Sequence, residues 1–156
     1  MAIARRLRWY LKKEGIEYEV LPHPHSRSSL ESALEAHVPP NLFAKPVLLE
    51  DERGYVMAIV QASRRIDLDT LCRQLHRDLE LASEPEIGDL FGDCDAGAMP
   101  PVGEAYRIPV VYDDALKMLP EVYFEAGDHE DVIHVRGPDY LRLLSGSLHG
   151  EFSEAL

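Results

Sequence analysis

Glycine and proline crowd one stretch of this 156-residue chain, Gly97-Ala98-Met99-Pro100-Pro101-Val102-Gly103. The glycines open backbone angles closed to other residues, and the prolines fix φ and remove two N–H donors. A stiff loop remains, with the N–H groups of Gly97, Ala98 and Met99 free to hold a carbonyl oxygen, a ribose hydroxyl or a developing oxyanion. The loop alone is equally compatible with a rigid connector, since Gly and Pro are ordinary loop punctuation.

Three other groups could carry chemistry. Lys45 interrupts the apolar run Phe43-Ala44-Lys45-Pro46-Val47-Leu48-Leu49. A lysine there either sends its ammonium to solvent or stands as a cation on a pocket wall, aimed at a phosphate or carbonyl. Pro46 places that strand at an edge or a bulge. His129 lies in Ala126-Gly127-Asp128-His129-Glu130, a turn between two strands, either exposed or facing the loop. His23 and His25 form a short H-x-H, but the seven histidines match no zinc spacing, so no metal or other cofactor is expected. Protein nucleophiles are not indicated. Ser147 in Gly146-Ser147-Leu148-His149-Gly150 is misplaced for a nucleophile elbow, and no phosphate-binding glycine motif is present.

The elements that must position these groups follow from periodicity and punctuation. Ile3, Leu7, Tyr10 and Leu11 predict an amphipathic helix over residues 3–14, ended by Gly15. Residues 18–21 read as a strand broken by Pro22-His23-Pro24, and Ser28 with Glu31 opens a helix over 29–37. Residues 44–50 and 55–61 are strands around the turn 51–54. A helix over 67–76 and a short strand at 79–82 precede a helix over 85–91 capped by Ser83, with Glu86 at the capping-box position. Strands follow at 108–112, 121–126 and 132–135, then a helix over 138–144. The polar tail, 145–156, reads as frayed.

Length and composition fit one domain with a real core. No apolar run is long enough to cross a membrane, and Met1 to Lys13 lacks a signal peptide's apolar core. Cys72 and Cys94 form no CxxC pair, which suits a reducing cytoplasm. Residues 84–156 carry 16 Asp/Glu against 4 Lys/Arg, whereas residues 1–83 carry 12 of each, so the net charge of −12 comes from the second half. An acidic half argues against broad binding to DNA or any other phosphate backbone. Docking through the first half stays open: Arg5, Arg6, Arg8, Lys12 and Lys13 all precede the first acidic residue. Those cations either solvate a helix face or meet a polyanion. The mixture of short strands and irregularly placed helices predicts a single α/β (α+β) domain, 1–156, with a mixed, strongly curved, barrel-like sheet flanked by helices.

In order along the chain, Tyr18-Glu19-Val20 leading to His25, the strand opening at Ala44-Lys45, the G-x-x-P-x-x-G loop from Gly97 to Gly103, and Tyr123 to Gly127 resemble the YbaK/EbsC family of prolyl-tRNA synthetase-associated editing domains. The resemblance runs over about residues 3–144. It implies hydrolysis of the ester that links a wrong amino acid to tRNA. It carries over Lys45 as the anchor of the tRNA 3′ end and the Gly97–Gly103 loop, with Gly97, Ala98 and Met99 as backbone donors. His129, where the turn departs from the family's second glycine, is a further catalytic candidate from its own position, to orient water or ribose or to act as a general base. His25, Ala44, Pro100, Pro101, Gly103, Gly127 and Asp128 would line the substrate. The implied partners are aminoacyl-tRNA and an aminoacyl-tRNA synthetase. A binding module that keeps the pocket without turnover is the alternative.

Overall fold

The computed structural model describes residues 3–156; Met1 and Ala2 of the N-terminal segment lie outside the described residues. α1 (Arg5–Lys13) buries Leu7, Tyr10 and Leu11 on one face, and Gly15 follows at φ +65°. β1 (Glu19–Pro22) leads to α2 (Ser29–Glu35), whose N-cap Ser28 accepts the N–H of Glu31. β2 (Ala44–Asp51) and β3 (Gly54–Gln61) form the expected hairpin. β4 (Arg64–Ile66) then meets α3 (Leu68–Leu75), which Asp67 caps by accepting from the Thr70 N–H. β5 (Glu80–Leu81) precedes α4 (Glu84–Leu90), where Ser83 and Glu86 complete a reciprocal capping box. The second half adds β6 (Val110–Asp113), β7 (Glu121–Glu125), β8 (Asp131–Arg136), α5 (Gly137–Leu143), β9 (Leu148–Gly150) and β10 (Ser153–Ala155).

The strands form a five-stranded sheet in the order β5-β2-β3-β6-β9, a three-stranded sheet β1-β8-β7 and a β10-β4 pair. β2 and β3 are antiparallel, and β6 lies parallel to both β3 and β9. The mixed α/β class is as the sequence predicts, but the sheet does not close into a barrel. One parallel bridge, Phe43 to Tyr123, joins the two larger sheets, and the rest of that seam is side-chain packing. β5 pairs only with Leu49 and Glu50, so the half of β2 that carries Lys45 and Pro46 has no β5 partner.

The core follows strand alternation. Ala44, Leu48, Met57 and Ile59 face a large cluster that includes Leu7, Met99, Val102, Phe124 and Tyr140. Leu49, Val56, Ala58 and Val60 face α3 and Phe152 on the other side. Phe43, Ala33 and Val132 fill a third cluster at the seam.

The C-terminal segment corrects the frayed-tail expectation. β9 extends the five-stranded sheet, β10 pairs with β4, and Phe152 is 1% exposed. Asp113 organises this segment. Its Oδ2 accepts the N–H groups of Phe152 at 3.0 Å and Ser153 at 3.1 Å, and its Oδ1 accepts that of Ala115 at 2.9 Å. A polar tail with one buried aromatic gives little periodic signal, so only the distant Asp113 carboxylate reveals it.

Candidate functional site

The Gly97 loop and the Gly127 turn are stitched together. The Asp95 N–H donates to the Gly127 carbonyl at 2.7 Å. His129 Nε2 lies 2.7 Å from the Ala96 carbonyl oxygen, and Nδ1 lies 2.5 Å from Glu125 Oε2. A carbonyl can only accept, so Nε2 carries the proton on that side. The Nδ1–Glu125 approach is a close ion contact rather than a well-aligned hydrogen bond, and Glu125 Oε1 has no partner among the described residues. Both ring nitrogens therefore face acceptors, the arrangement that favours imidazolium.

Burial acts to push the His129 imidazolium down. The contact and charge of Glu125, with the Ala96 carbonyl and Asp95, outweigh it and hold the group above its ordinary range. Glu125 is completely buried and His129 is 2% exposed, so the two meet in low dielectric, where a charge on one strongly favours the opposite charge on the other.

Local backbone geometry serves the same arrangement. His129 sits at φ +58°, a left-handed conformation that aims its ring back at the loop. Gly97 has φ +76°, and a Cβ there would lie 3.3 Å from His129 Nε2 and 3.6 Å from the Arg27 carbonyl oxygen. Gly127 has φ +115°, and a Cβ there would come within 2.8 Å of the Ala4 Cβ. Glycine is thus required at Gly127 by angle and by space, and at Gly97 it is favoured by angle, with a tight approach to His129. Asp128 fixes the turn by accepting the N–H groups of Glu130 and Asp131. Burial and the neighbouring Asp128 carboxylate push the Asp131 carboxyl up to about 6.

The sequence-predicted residues divide as follows. His25 meets His129 edge-on, with ring centroids 5.9 Å apart, and the adjacent Ser26 donates its N–H to the His129 carbonyl at 3.1 Å. Gly97, Gly127, Asp128, His129 and His25 therefore gather in one place. Ala98 is a correction: its N–H is spent on the Asp95 carbonyl at 3.0 Å, because the loop closes a tight turn there. Among the described residues, the N–H groups of Gly97 and Met99 have no partner. Pro100, Pro101 and Gly103 are buried and brace the loop from behind, with the Pro101 carbonyl accepting from the buried Tyr140 hydroxyl at 2.8 Å.

Lys45 stands apart from these contacts. Ala44, beside it, faces the cluster containing Met99 and Val102, while Lys45 shares the opposite face with Phe43 and Val47. It is half-buried, and among the described residues it has no hydrogen bond or ion pair. Desolvation alone lowers its pKa. The Phe43–Tyr123 bridge runs parallel, so two residues further along each strand lie Lys45 and Glu125. That register brings the start of β2 beside the end of β7.

Glu125 is the residue that sequence reasoning missed. The available signal was a carboxylate closing the apolar strand Val122-Tyr123-Phe124-Glu125-Ala126, four residues before a histidine. Burial pushes the Cys94 thiol up to about 12, away from the thiolate that an attack would need. No three His, Cys, Asp or Glu side chains gather to hold a metal among the described residues. Two larger concavities are lined by none of the residues gathered at this site. One of about 540 Å³ is lined by Arg64, Asp114 and Lys117, and another of about 540 Å³ by Trp9, Lys13 and Arg107. The hollow at the loop, about 100 Å³, is lined by Phe91, Cys94, Ala96, Gly97 and Met99.

A family model described as the aminoacyl-tRNA editing domain matches residues 23–143. None of the curated proteins matches the sequence. Among solved structures, a candidate trans-editing enzyme for prolyl tRNA synthetase is 26% identical, with a TM-score of 0.83 and coverage of 97% of each chain. A scaffold protein used for computational epitope grafting is also 26% identical, with a TM-score of 0.82 over 98% of this chain and 97% of the other. A signal transduction protein candidate from Marinobacter aquaeolei shares the fold at 21% identity and a TM-score of 0.77, with 95% of this chain matching 30% of that one.

Proposed function

Because the chain belongs to the aminoacyl-tRNA editing domain family, we propose that it is a free-standing hydrolase that cleaves the ester of a tRNA mischarged with a small amino acid. The observation that carries this reading is the His129 clamp. With the imidazolium held between Glu125 and the Ala96 carbonyl, the Ala96–Gly97 segment is fixed. The unpartnered N–H groups of Gly97 and Met99 remain as donors on that fixed loop.

The substrate carbonyl accepts from those donors, and its developing negative charge is stabilised by groups that need no reorganisation. Water adds to the carbonyl carbon, the acyl C–O bond to the ribose breaks, and the ribose oxygen leaves as a hydroxyl. A neighbouring ribose hydroxyl of the substrate relays the proton. His129 is a positioning residue in this scheme, because both of its nitrogens are already engaged. Lys45, a half-buried cation with no carboxylate partner among the described residues, anchors the terminal phosphate or ribose. The hollow of about 100 Å³ beside Gly97 suits a side chain the size of Ala, Ser, Cys or Pro. The neighbour associated with prolyl-tRNA synthetase makes proline tRNA the first acceptor to test.

The test is single-turnover hydrolysis across Ala-, Ser-, Cys- and Pro-charged tRNAs. Lys45→Ala is expected to cost about 2–4 kcal/mol of transition-state stabilisation, roughly 30- to 1000-fold in rate. Gly97→Val is expected to lose a comparable amount by displacing the donor loop, whereas Cys72→Ser and Ser147→Ala retain near-normal turnover. If the unaltered protein binds aminoacyl-tRNA ends but hydrolyses none of the panel above buffer, it is a binding module instead.

A further inference from the structure

The outward face of α1 is chemically uniform. Arg5, Arg6, Arg8, Trp9, Lys12 and Lys13 are all exposed, while Leu7, Tyr10 and Leu11 are buried. At 100° per residue the six exposed positions form one continuous arc, with Trp9 near its middle. No acidic residue lies in α1, and among the described residues none of its five cations makes an ion pair. Arg107, at the end of the short turn Gly103–Tyr106, is the third cation of the concavity that Arg6, Trp9 and Lys13 also line.

Folding alone gives no reason for this pattern. Arg5 and Arg6 occupy the first helical turn, where the helix dipole disfavours positive charge. A solvated helix face usually mixes signs, because i,i+4 pairs between unlike charges add support. Trp9 is 59% exposed, with the Lys13 ammonium 5.1 Å from its ring centroid. The arginine side chain of Arg6 lies similarly over Tyr106, at 5.6 Å. In a chain of net charge −12, this is a concentrated cationic surface with an open aromatic platform.

Its place in the fold connects it to the candidate site. The Ala4 N–H, just before α1, donates to the Ala126 carbonyl at 2.8 Å, and Ala4 packs against Gly127. The nine-residue helix is about 13 Å long, so its start abuts the turn that carries His129 and its far end lies about one helix length from that contact.

We propose that this face docks the phosphate backbone of the tRNA acceptor stem while the charged 3′ end occupies the Gly97 loop. The proposal rests on the tRNA reading above and adds the surface that would hold the RNA. Arginine and lysine track the phosphates, and Trp9 offers a stacking face to an unpaired base near the 3′ end. The acidic groups nearest this face are Asp93, which accepts the Arg6 N–H, Glu104 in the concavity and Glu14 at the end of the helix. They limit contact to the arginine and lysine arc. A membrane surface fits less well, because the apolar face of α1 is already committed to the core.

Trp9 is the single tryptophan of the chain, so its emission reads the face directly. Adding uncharged proline tRNA to the protein is expected to quench or shift that emission and to give saturable binding that weakens with salt. Arg5→Glu/Arg8→Glu/Lys12→Glu should weaken binding by at least about tenfold at 0.1 M salt and flatten the salt dependence. The gentler Arg8→Gln/Lys12→Gln should move both in the same direction by less, with circular dichroism checking that α1 persists. Unchanged affinity in the charge-reversed protein, no binding by the unaltered protein, or a Trp9 response to phosphatidylserine vesicles but not to tRNA would each overturn the proposal. Hydrolysis of 3′-aminoacyl-adenosine by the unaltered protein, a substrate without an acceptor stem, reports separately on the catalytic reading.

Discussion

Asp113 in the five-stranded sheet and the carboxylates around the β7–β8 turn of the three-stranded sheet handle burial in opposite ways. In the five-stranded sheet, Asp113 is buried but spends both oxygens on three backbone N–H groups, all of them holding the chain after β6 and the C-terminal segment. In the three-stranded sheet, the end of β7 and the turn into β8 bury Glu125, Asp128, His129 and Asp131 together, and several atoms go unsatisfied. Glu125 Oε1 and Asp128 Oδ2 have no partner among the described residues. A buried carboxylate fully used by backbone donors supports the fold. A buried cluster with spare acceptors costs stability that hydrogen bonds do not recover, and it sits where the candidate site needs a rigid imidazolium.

The sharpest way to break this contrast is to remove Glu125. Glu125→Ala leaves the buried imidazolium without its counter-charge, an expected loss of about 3–5 kcal/mol in denaturant unfolding. The surviving folded fraction should also lose ester hydrolysis, because the Ala96–Gly97 segment is no longer clamped. Full activity per folded molecule would show that the pair serves only the fold.

Asp113→Ala is the matched control. It strands buried N–H groups and is expected to cost about 2–3 kcal/mol, with faster hydrogen exchange at Phe152 and Ser153. Turnover per folded molecule should stay near that of the unaltered protein. A large drop in turnover would mean that the tail and the site are coupled, and the division between the sheets would fail.

The smallest expected effect is in pH dependence. Because the His129 pKa is raised on folding, its stabilising contribution is fully present below the unfolded histidine value, near 6.5. It is lost as pH rises through the higher folded value. Thermal melts should therefore show stability declining over that alkaline window, and Glu125→Gln should shrink the decline. Asp131 acts lower on the scale: its carboxyl is raised to about 6, so ionising it in the folded state opposes stability as pH climbs from its ordinary range toward 6. A melt profile in which Glu125→Gln leaves the alkaline decline intact would remove His129 as its source.

Much of the architecture could be read locally. The capping residues Ser28 and Ser83, the 51–54 turn and the apolar alternation of β2 and β3 each act within a few residues of themselves, so their patterns are visible along the chain. The positions of Gly97 and Gly127 were legible for a related reason: glycine between apolar segments marks backbone geometry that other residues resist. His129 could be singled out as a turn residue, but not its partners.

What the sequence by itself determined is most of the short-range elements, the mixed α/β class and the place of the glycine loop, with Lys45 and His129 singled out only as candidates. Only the tertiary structure decided that Ala98 spends its N–H on Asp95, that Glu125 and the Ala96 carbonyl hold His129 from both sides, and that the sheets meet through one bridge rather than a closed barrel. It also decided that the C-terminal segment forms β9 and β10 under Asp113. Each of these depends on groups brought together from distant elements or on the path of one tight turn. Periodicity reports which face a residue presents, whereas hydrogen-bond and charge partners across the fold are chosen by how the elements pack.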